Sequence, residues 1–305
     1  MDLRSGTFKA REQMKRLLVK SPAKINLMLA VHGVRPDGFH GLTSIIAPLT
    51  FGDQLRISFS KSRADAMSCD DPKVPTGDEN LILRAAQLFR RVSGLERYFN
   101  FSLEKRIPMG AGLGGGSSNA AAALKAMNEL AGAPLNKRAL LEVAAELGSD
   151  CPFFIDAQGA QISGRGEVID TLPSAVCDRL RGQRIVLFRP HFGVSTAWAY
   201  SRLRDCRPDL YQPESVSRRR VEDFVAGGAV RDLLFNNFEA CVGEKYLAIP
   251  CLLEELRVLG YACLMSGSGS CCFALLEAGQ DVSSIKALCV SAWGSDVFFV
   301  ESWLA

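Results

Sequence analysis

Residues 108–119 read PMGAGLGGGSSN, and this stretch restricts the fold more than any other in the chain. Glycines at 110, 112, 114, 115 and 116 stand directly before SSNAAAALKAMNELA, which is rich in alanine, the strongest helix former, with Ser117 placed to cap it. A helix N-terminus carries unpaired N–H groups and the positive end of the helix dipole, so a loop of this kind is suited to wrap phosphate. A flexible linker would not abut a capped helix. A Walker loop needs a lysine before its Ser or Thr, and Gly116-Ser117-Ser118 has none. A dinucleotide fingerprint is formally matched by Gly110, Gly112 and Gly115 after a strand. Its acidic residue about 20 positions on would be Glu129, which falls inside the helix.

The rest of the sequence bounds the class. At 305 residues the chain is one large domain or two small ones, and 48% hydrophobic with 23% charged residues is ordinary globular usage. A net charge of +3 is too small an excess to make a nucleic-acid surface. No apolar run reaches the ~18 residues a membrane span needs. The nearest, residues 261–278, is broken by Ser266-Gly267-Ser268-Gly269-Ser270. Ten cysteines are scattered with no CxxC, as buried free thiols of a reducing compartment would be. The expected location is cytoplasmic in a bacterium, or the plastid stroma if the source is a plant. Three histidines, His32, His40 and His191, stand at no metal-binding spacing, so no protein metal site is expected. Residues 1–20 lack an apolar signal core and read as an N-terminal extension.

Residues 23–30, AKINLMLA, alternate as a half-buried strand with Lys24 and Asn26 on the polar face. Arg35-Pro36-Asp37-Gly38 is turn chemistry, residues 42–49 a second strand, Phe51-Gly52-Asp53 a turn and 54–59 a third strand, giving a β-meander. A loop over 61–78, helices over 80–92 and 137–147, and a strand over 98–103 complete the first part. A crossing over 171–182 leads into a second. There a strand (184–188), a helix capped by Ser195, and a helix-strand-strand-helix-strand series ending near 300 suggest a split βαβ sandwich. Ser217-Arg218-Arg219-Arg220 reads as a solvated helix start. The expected organisation is an extension (1–20), an N-terminal domain with the phosphate-suited loop (21–172) and a C-terminal domain (173–305).

The glycine loop resembles the ATP loop of the GHMP kinases, P-x-G-x-G-L-G-x-S-S-A, with one extra glycine and Asn119 for the usual alanine. SPAKINLML, RPDGFHGL, GDENLILRAAQLF, LGSDCPFF, SGRGE and MSGSGSCCFALL resemble further motifs of the superfamily in the expected order, from Ser21 to the C-terminus. Within it, the chain is most similar to the branch that phosphorylates the 2-hydroxyl of a cytidine diphosphate-linked methylerythritol on the non-mevalonate route to isoprenoid precursors. The resemblance implies an α+β, two-domain fold: an S5-like α/β domain followed by a ferredoxin-like split βαβ domain. It implies ATP with Mg²⁺ and a small-molecule cytidine diphosphate substrate, as a monomer or homodimer. A homoserine- or mevalonate-type kinase and a non-catalytic GHMP-fold ligand sensor are the alternatives.

By residue type alone, Lys24 is a solvated strand lysine and Asp150 a helix cap before Pro152. The resemblance makes them catalytic: Asp150 accepts the hydroxyl proton, and Lys24 orients Asp150 and lowers the hydroxyl's pKa. It implies that Phe39 and Tyr200 sandwich the cytosine while His40 reads its edge, with Asn26 also on the substrate side. Phe39 could equally staple its turn, and Tyr200 fill a core. ATP contacts are implied for Asn80, Lys105, Pro108, Gly110, Gly112, Leu113, Gly114, Gly115, Gly116, Ser117, Ser118, Asn119 and the turn Ser266, Gly267, Ser268, Gly269. That turn is also suited to join a β-hairpin. Asn237 stands where the superfamily branch more often has Asp.

Overall fold

The structure, a computed structural model, describes residues 16–305. Most of the expected N-terminal extension lies outside the described residues, and its last five residues are already strand. The residues form two compact units that are interleaved in sequence. The first comprises the segment ending at Ala23 together with Gly52–Ile107 and Gly114–Asp156. The second comprises Lys24–Phe51, Pro108–Leu113 and Ala157–Ala305. The interleaving follows from two long strands, β1 (Arg16–Val34) and β2 (His40–Phe59), each of which passes from one unit into the other.

In the first unit, Gln54–Phe59 of β2 pair antiparallel with β4 (Phe99–Glu104), which pairs parallel with β3 (Ala66–Cys69). Strand β3 lies inside the segment expected to be loop. Helix α1 (Leu81–Ser93) buries Ile82, Ala85, Ala86 and Phe89, the apolar stripe its sequence announces. It packs on α2 (Gly115–Leu130), where the run Ala120–Ala123 is wholly buried and its small side chains permit close approach. Helices α3 (Lys137–Leu147) and α4 (Phe153–Asp156) follow. The N-cap of α2 is Gly114, without a side-chain cap bond, so the expected Ser117 cap is corrected: the cap lies three residues earlier.

The turn expected at Phe51-Gly52-Asp53 is likewise corrected, because β2 runs through it unbroken. Gly52 is there for another reason. A Cβ on it would lie 2.3 Å from the carbonyl oxygen of Ser21 and 2.7 Å from Pro22 Cα, so only glycine lets β2 pass this close to β1.

In the second unit, Met28 and Leu29 of β1 pair with β8 (Phe235–Asn236), and Ser44–Ile46 of β2 pair with β5 (Ala160–Ser163), which pairs with β6 (Val168–Thr171). After α5 (Ser174–Leu180), β7 (Arg184–Arg189) enters a four-stranded antiparallel sheet. Helices α6 (Thr196–Cys206), α7 (Glu214–Val225), α8 (Val230–Leu233), α9 (Asn237–Gly243) and α10 (Ala248–Val258) intervene before β9 (Ala262–Met265) and β10 (Cys272–Leu275). Helix α11 (Val282–Trp293) and β11 (Phe298–Trp303) end the chain. The sheet order β11-β7-β10-β9, with α10 and α11 on one face through Leu252, Leu253, Leu256, Ile285 and Cys289, is the split βαβ arrangement. Ser195 caps α6 as expected, accepting from the Trp198 amide, and the helix runs on past Tyr200 to Cys206.

Strand β9 is an edge strand, and its open side is filled by side chains. Glu239 Oε2 accepts from the Met265 amide (3.0 Å), Asn236 Nδ2 donates to the Met265 carbonyl (2.7 Å) and Arg257 donates to the Cys263 carbonyl (3.2 Å).

Gly52→Ala forces the two strands apart. It is expected to cost about 1–3 kcal/mol, the usual price of overpacking, read as a lower urea midpoint at unchanged slope. An unchanged midpoint would contradict the steric account.

Candidate active site

In the first unit the glycine-rich segment joins the helix through a buried carboxylate. Asp53 is fully buried on the inward face of β2, beside Leu55 and Ile57. Lys105 Nζ donates to Asp53 Oδ2 (2.5 Å), the amides of Arg106 and Ile107 to Oδ1 (2.7 Å each) and Asn119 Nδ2 to Oδ2 (2.9 Å). Asn119 also donates to the Ser21 hydroxyl (2.8 Å), which donates to Ser118 Oγ (2.8 Å). Lys105 and Asn119, expected at the nucleotide, thus hold the framework around the start of α2, and the Lys105 ammonium lies against Gly115. Asn80 caps α1, accepting from the Ile82 amide (2.9 Å), and Leu81 next to it reaches Gly116. Ser117 and Gly116 are partly to fully accessible at the helix start, whereas Ser118 is buried.

Asp150 is exposed in the turn between α3 and α4. The next residue, Cys151, is buried and forms a hydrogen bond with Ser117, which sets this turn against the N-terminus of α2. Burial pushes the Cys151 thiol up to about 11, so it packs there as a neutral group.

In the second unit Lys24 is 7% exposed, which overturns its reading as a solvated strand lysine. Its ammonium donates to Asn26 Oδ1 (2.8 Å), and Asn26 Nδ2 donates to Ser44 Oγ (2.8 Å). The Lys24 amide donates to the Leu113 carbonyl (3.0 Å), and the Asn26 amide to Ser266 Oγ (3.3 Å). Gly112 (φ 76°) approaches the Ser266–Gly269 turn so closely that a Cβ would sit 2.4 Å from the Ser266 carbonyl. The Cys271 amide donates to the Ala111 carbonyl (3.2 Å). Residues 110–113, Lys24, Asn26 and the Ser/Gly turn therefore form one group. The turn also joins β9 to β10, the hairpin role expected for it. Ser268 is tied to Thr196 by a 2.7 Å hydroxyl contact. Pro108 is half-buried, and Gly110 is open.

A second group lies farther along β1. His40 packs against Tyr200 (centroids 5.0 Å apart), and Tyr200 stands edge-on to Phe238. Phe39 leaves its turn exposed, with the Arg165 guanidinium 4.8 Å over its ring. Burial, and then the charge of Arg204, hold the His40 imidazole below its ordinary 6.5.

Sequence reasoning missed Asp53 and Tyr211. Asp53 was readable in principle, since Phe51, Leu55, Ile57 and Phe59 share its parity in a strand and place a lone carboxylate on the apolar face. Tyr211 carries no local signal.

A glycine segment leading into a helix N-terminus, an α/β unit and a split βαβ unit together define a GHMP kinase. The GHMP kinases N-terminal domain matches residues 80–158, and the GHMP kinases C-terminal domain matches 223–290. The 4-diphosphocytidyl-2-C-methyl-D-erythritol kinase of Protochlamydia amoebophila (strain UWE25) is 39% identical over 269 residues, covering 88% of this chain and 86% of that protein. The kinase of the same name from Synechococcus sp. (strain CC9902) is 38% identical over 298 residues, covering 91% and 95%. A crystal structure of 4-(cytidine 5'-diphospho)-2C-methyl-D-erythritol kinase matches with TM-score 0.76 and 32% identity over 95% of this chain and all of that one. A homoserine kinase from Cytophaga hutchinsonii ATCC 33406, 18% identical with TM-score 0.70 over 95% of this chain and 96% of that one, shares the fold. The chain belongs to the 4-diphosphocytidyl-2-C-methyl-D-erythritol kinase family and is an ATP-dependent small-molecule kinase.

Asp53→Ala leaves a buried ammonium and two backbone amides without their acceptor. Its expected cost is about 3–5 kcal/mol of folding stability, measured by urea denaturation, and a loss below ~1 kcal/mol would refute the network as drawn.

Proposed function

We propose that this chain transfers the γ-phosphoryl of ATP to the 2-hydroxyl of 4-diphosphocytidyl-2-C-methyl-D-erythritol. The observation that carries the reading is the buried position of Lys24, bonded to Asn26 and joined through its own amide to the glycine-rich segment. A lysine is costly to bury unless its charge is used or paired.

The triphosphate is gripped by backbone N–H groups of residues 110–116 and the start of α2, with the Ser266–Gly269 turn adding donors. Such a cradle fits the residues present, since its glycines leave the main chain bare and Gly112 admits no side chain. Mg²⁺ bound with the nucleotide would be held chiefly by the phosphates and would supply charge neutralisation there. Asp150 accepts the proton as the O–H bond breaks and the new O–P bond forms, while the bond from Pγ to the bridging oxygen breaks and ADP leaves. Lys24 favours the developing alkoxide. Asn26 holds the Lys24 ammonium in place. Phe39 and Tyr200 take the cytosine between them, and His40 reads its polar edge.

ADP release from Mg-ATP, compared with this cytidine compound, homoserine and mevalonate, tests the reading directly. Stimulation by the first alone is expected, and none would remove it. Asp150→Asn should lower kcat by about 10²–10⁴-fold while leaving ATP binding intact. Unchanged turnover would remove Asp150 from its role.

Because His40 sits below its ordinary value, its ring is neutral at pH 7. KM for the cytidine compound should therefore stay flat through neutral pH and rise only as the pH falls through that lowered midpoint. The rise should be absent in His40→Gln. A break above the ordinary histidine value would contradict it.

A further inference from the structure

Beside His40 stands a residue with no assigned part in the reaction. The Tyr211 hydroxyl lies 3.0 Å from His40 Nε2, with ring centroids 5.8 Å apart. Among the described residues, His40 Nδ1 has no hydrogen-bond partner. A tyrosine hydroxyl can donate to Nε2 or accept from it, so the contact fixes the orientation of the ring, holding Nε2 on Tyr211, without choosing its tautomer.

Tyr211 is itself held from behind. The Val31 amide donates to Asn237 Oδ1 (2.8 Å), and Asn237 Nδ2 donates to the carbonyls of Val31 and Leu210. The Gln212 amide donates to the Val31 carbonyl (2.9 Å). His32 Nδ1 donates to the Gln212 carbonyl (2.9 Å), which leaves Nε2 to accept from Thr43 (2.8 Å). Gln212 is thus pinned to β1 by a main-chain bond and by His32, and Leu210 is held by the side chain of Asn237, itself bound to Val31 of β1. A free loop would have no use for so many bonds to one tripeptide.

The geometry points to Tyr211 as a positioning residue for substrate specificity. It fixes the tilt of His40 so that Nε2 is engaged and Nδ1 is left to meet the base edge, with Asn237 and His32 holding the segment that carries it. This rests on the proposed reading of His40 as the base reader and deepens it.

The test is Tyr211→Phe in the full chain, which keeps the ring and removes the hydroxyl. The expected result is a KM for the cytidine compound raised about 3- to 10-fold, as for the loss of one orienting hydrogen bond, with kcat and the KM for ATP unchanged. The ¹⁵N signal of His40 Nε2 should shift as its hydrogen bond to the hydroxyl is lost. On a His40→Gln background the same change should add nothing, because its effect passes through that ring. Unchanged KM and ring signals, or an additive effect on that background, would overturn the proposal. A raised KM in His40→Gln with none in Tyr211→Phe overturns it while leaving the base-reading role standing. If the wild-type chain ignores the cytidine compound, the substrate reading falls, and unmoved ring signals in Tyr211→Phe would still overturn the positioning.

Discussion

The carboxylate of Asp53 is removed from water and must be matched inside the protein, because an unpaired buried charge costs several kcal/mol. It is matched by a cation, two main-chain amides and a side-chain amide, drawn from the end of β4 and from helix α2. The glycine-rich segment thus begins just after Ile107 and ends just before Asn119, two residues bound to one carboxylate. A stretch with so many glycines loses much conformational freedom on ordering. Anchoring both of its ends reduces the further entropy that gripping a nucleotide would demand.

The second unit solves a comparable problem with neutral groups. Asn26, His32, Asn236 and Asn237 each bond backbone atoms or hydroxyls of other segments. An amide or imidazole can donate and accept at once, which suits it to brace main chain where no strand pairs. At position 237 a carboxylate could accept from the Val31 amide, but it could not also donate to the Leu210 carbonyl as the asparagine does. The departure from the pattern at this position therefore has a specific physical content, a second bond to the segment that carries Tyr211.

Much of the architecture was legible from local chemistry. The alternation of residues 23–30, the apolar stripe of α1, the span of α3 and the series α10-β9-β10-α11-β11 all follow from periodicity and capping. The errors share a cause. Gly52-Asp53 resembles a turn because glycine and aspartate favour turns, yet here glycine answers a close strand approach and aspartate a buried cation, both facts of distant pairing. Ser117 has the residue type of a cap, but Gly114, three residues earlier, takes that place. Lys24 looked solvated because its neighbours alternate in polarity, while the partners of its own amide and of the Asn26 amide come from residues 113 and 266. The candidate site was legible as a set of motifs and illegible as a set of bonds, since the bonds join residues as much as 240 positions apart.

Strand β9 carries a consequence of its own. Its outer main-chain groups are answered by Glu239, Asn236 and Arg257, so the rim of that sheet offers a passing chain little to hydrogen-bond. Runaway strand-to-strand polymerisation is discouraged at this border by three ordinary side chains, and the same residues keep the neighbouring hairpin in register with its own molecule.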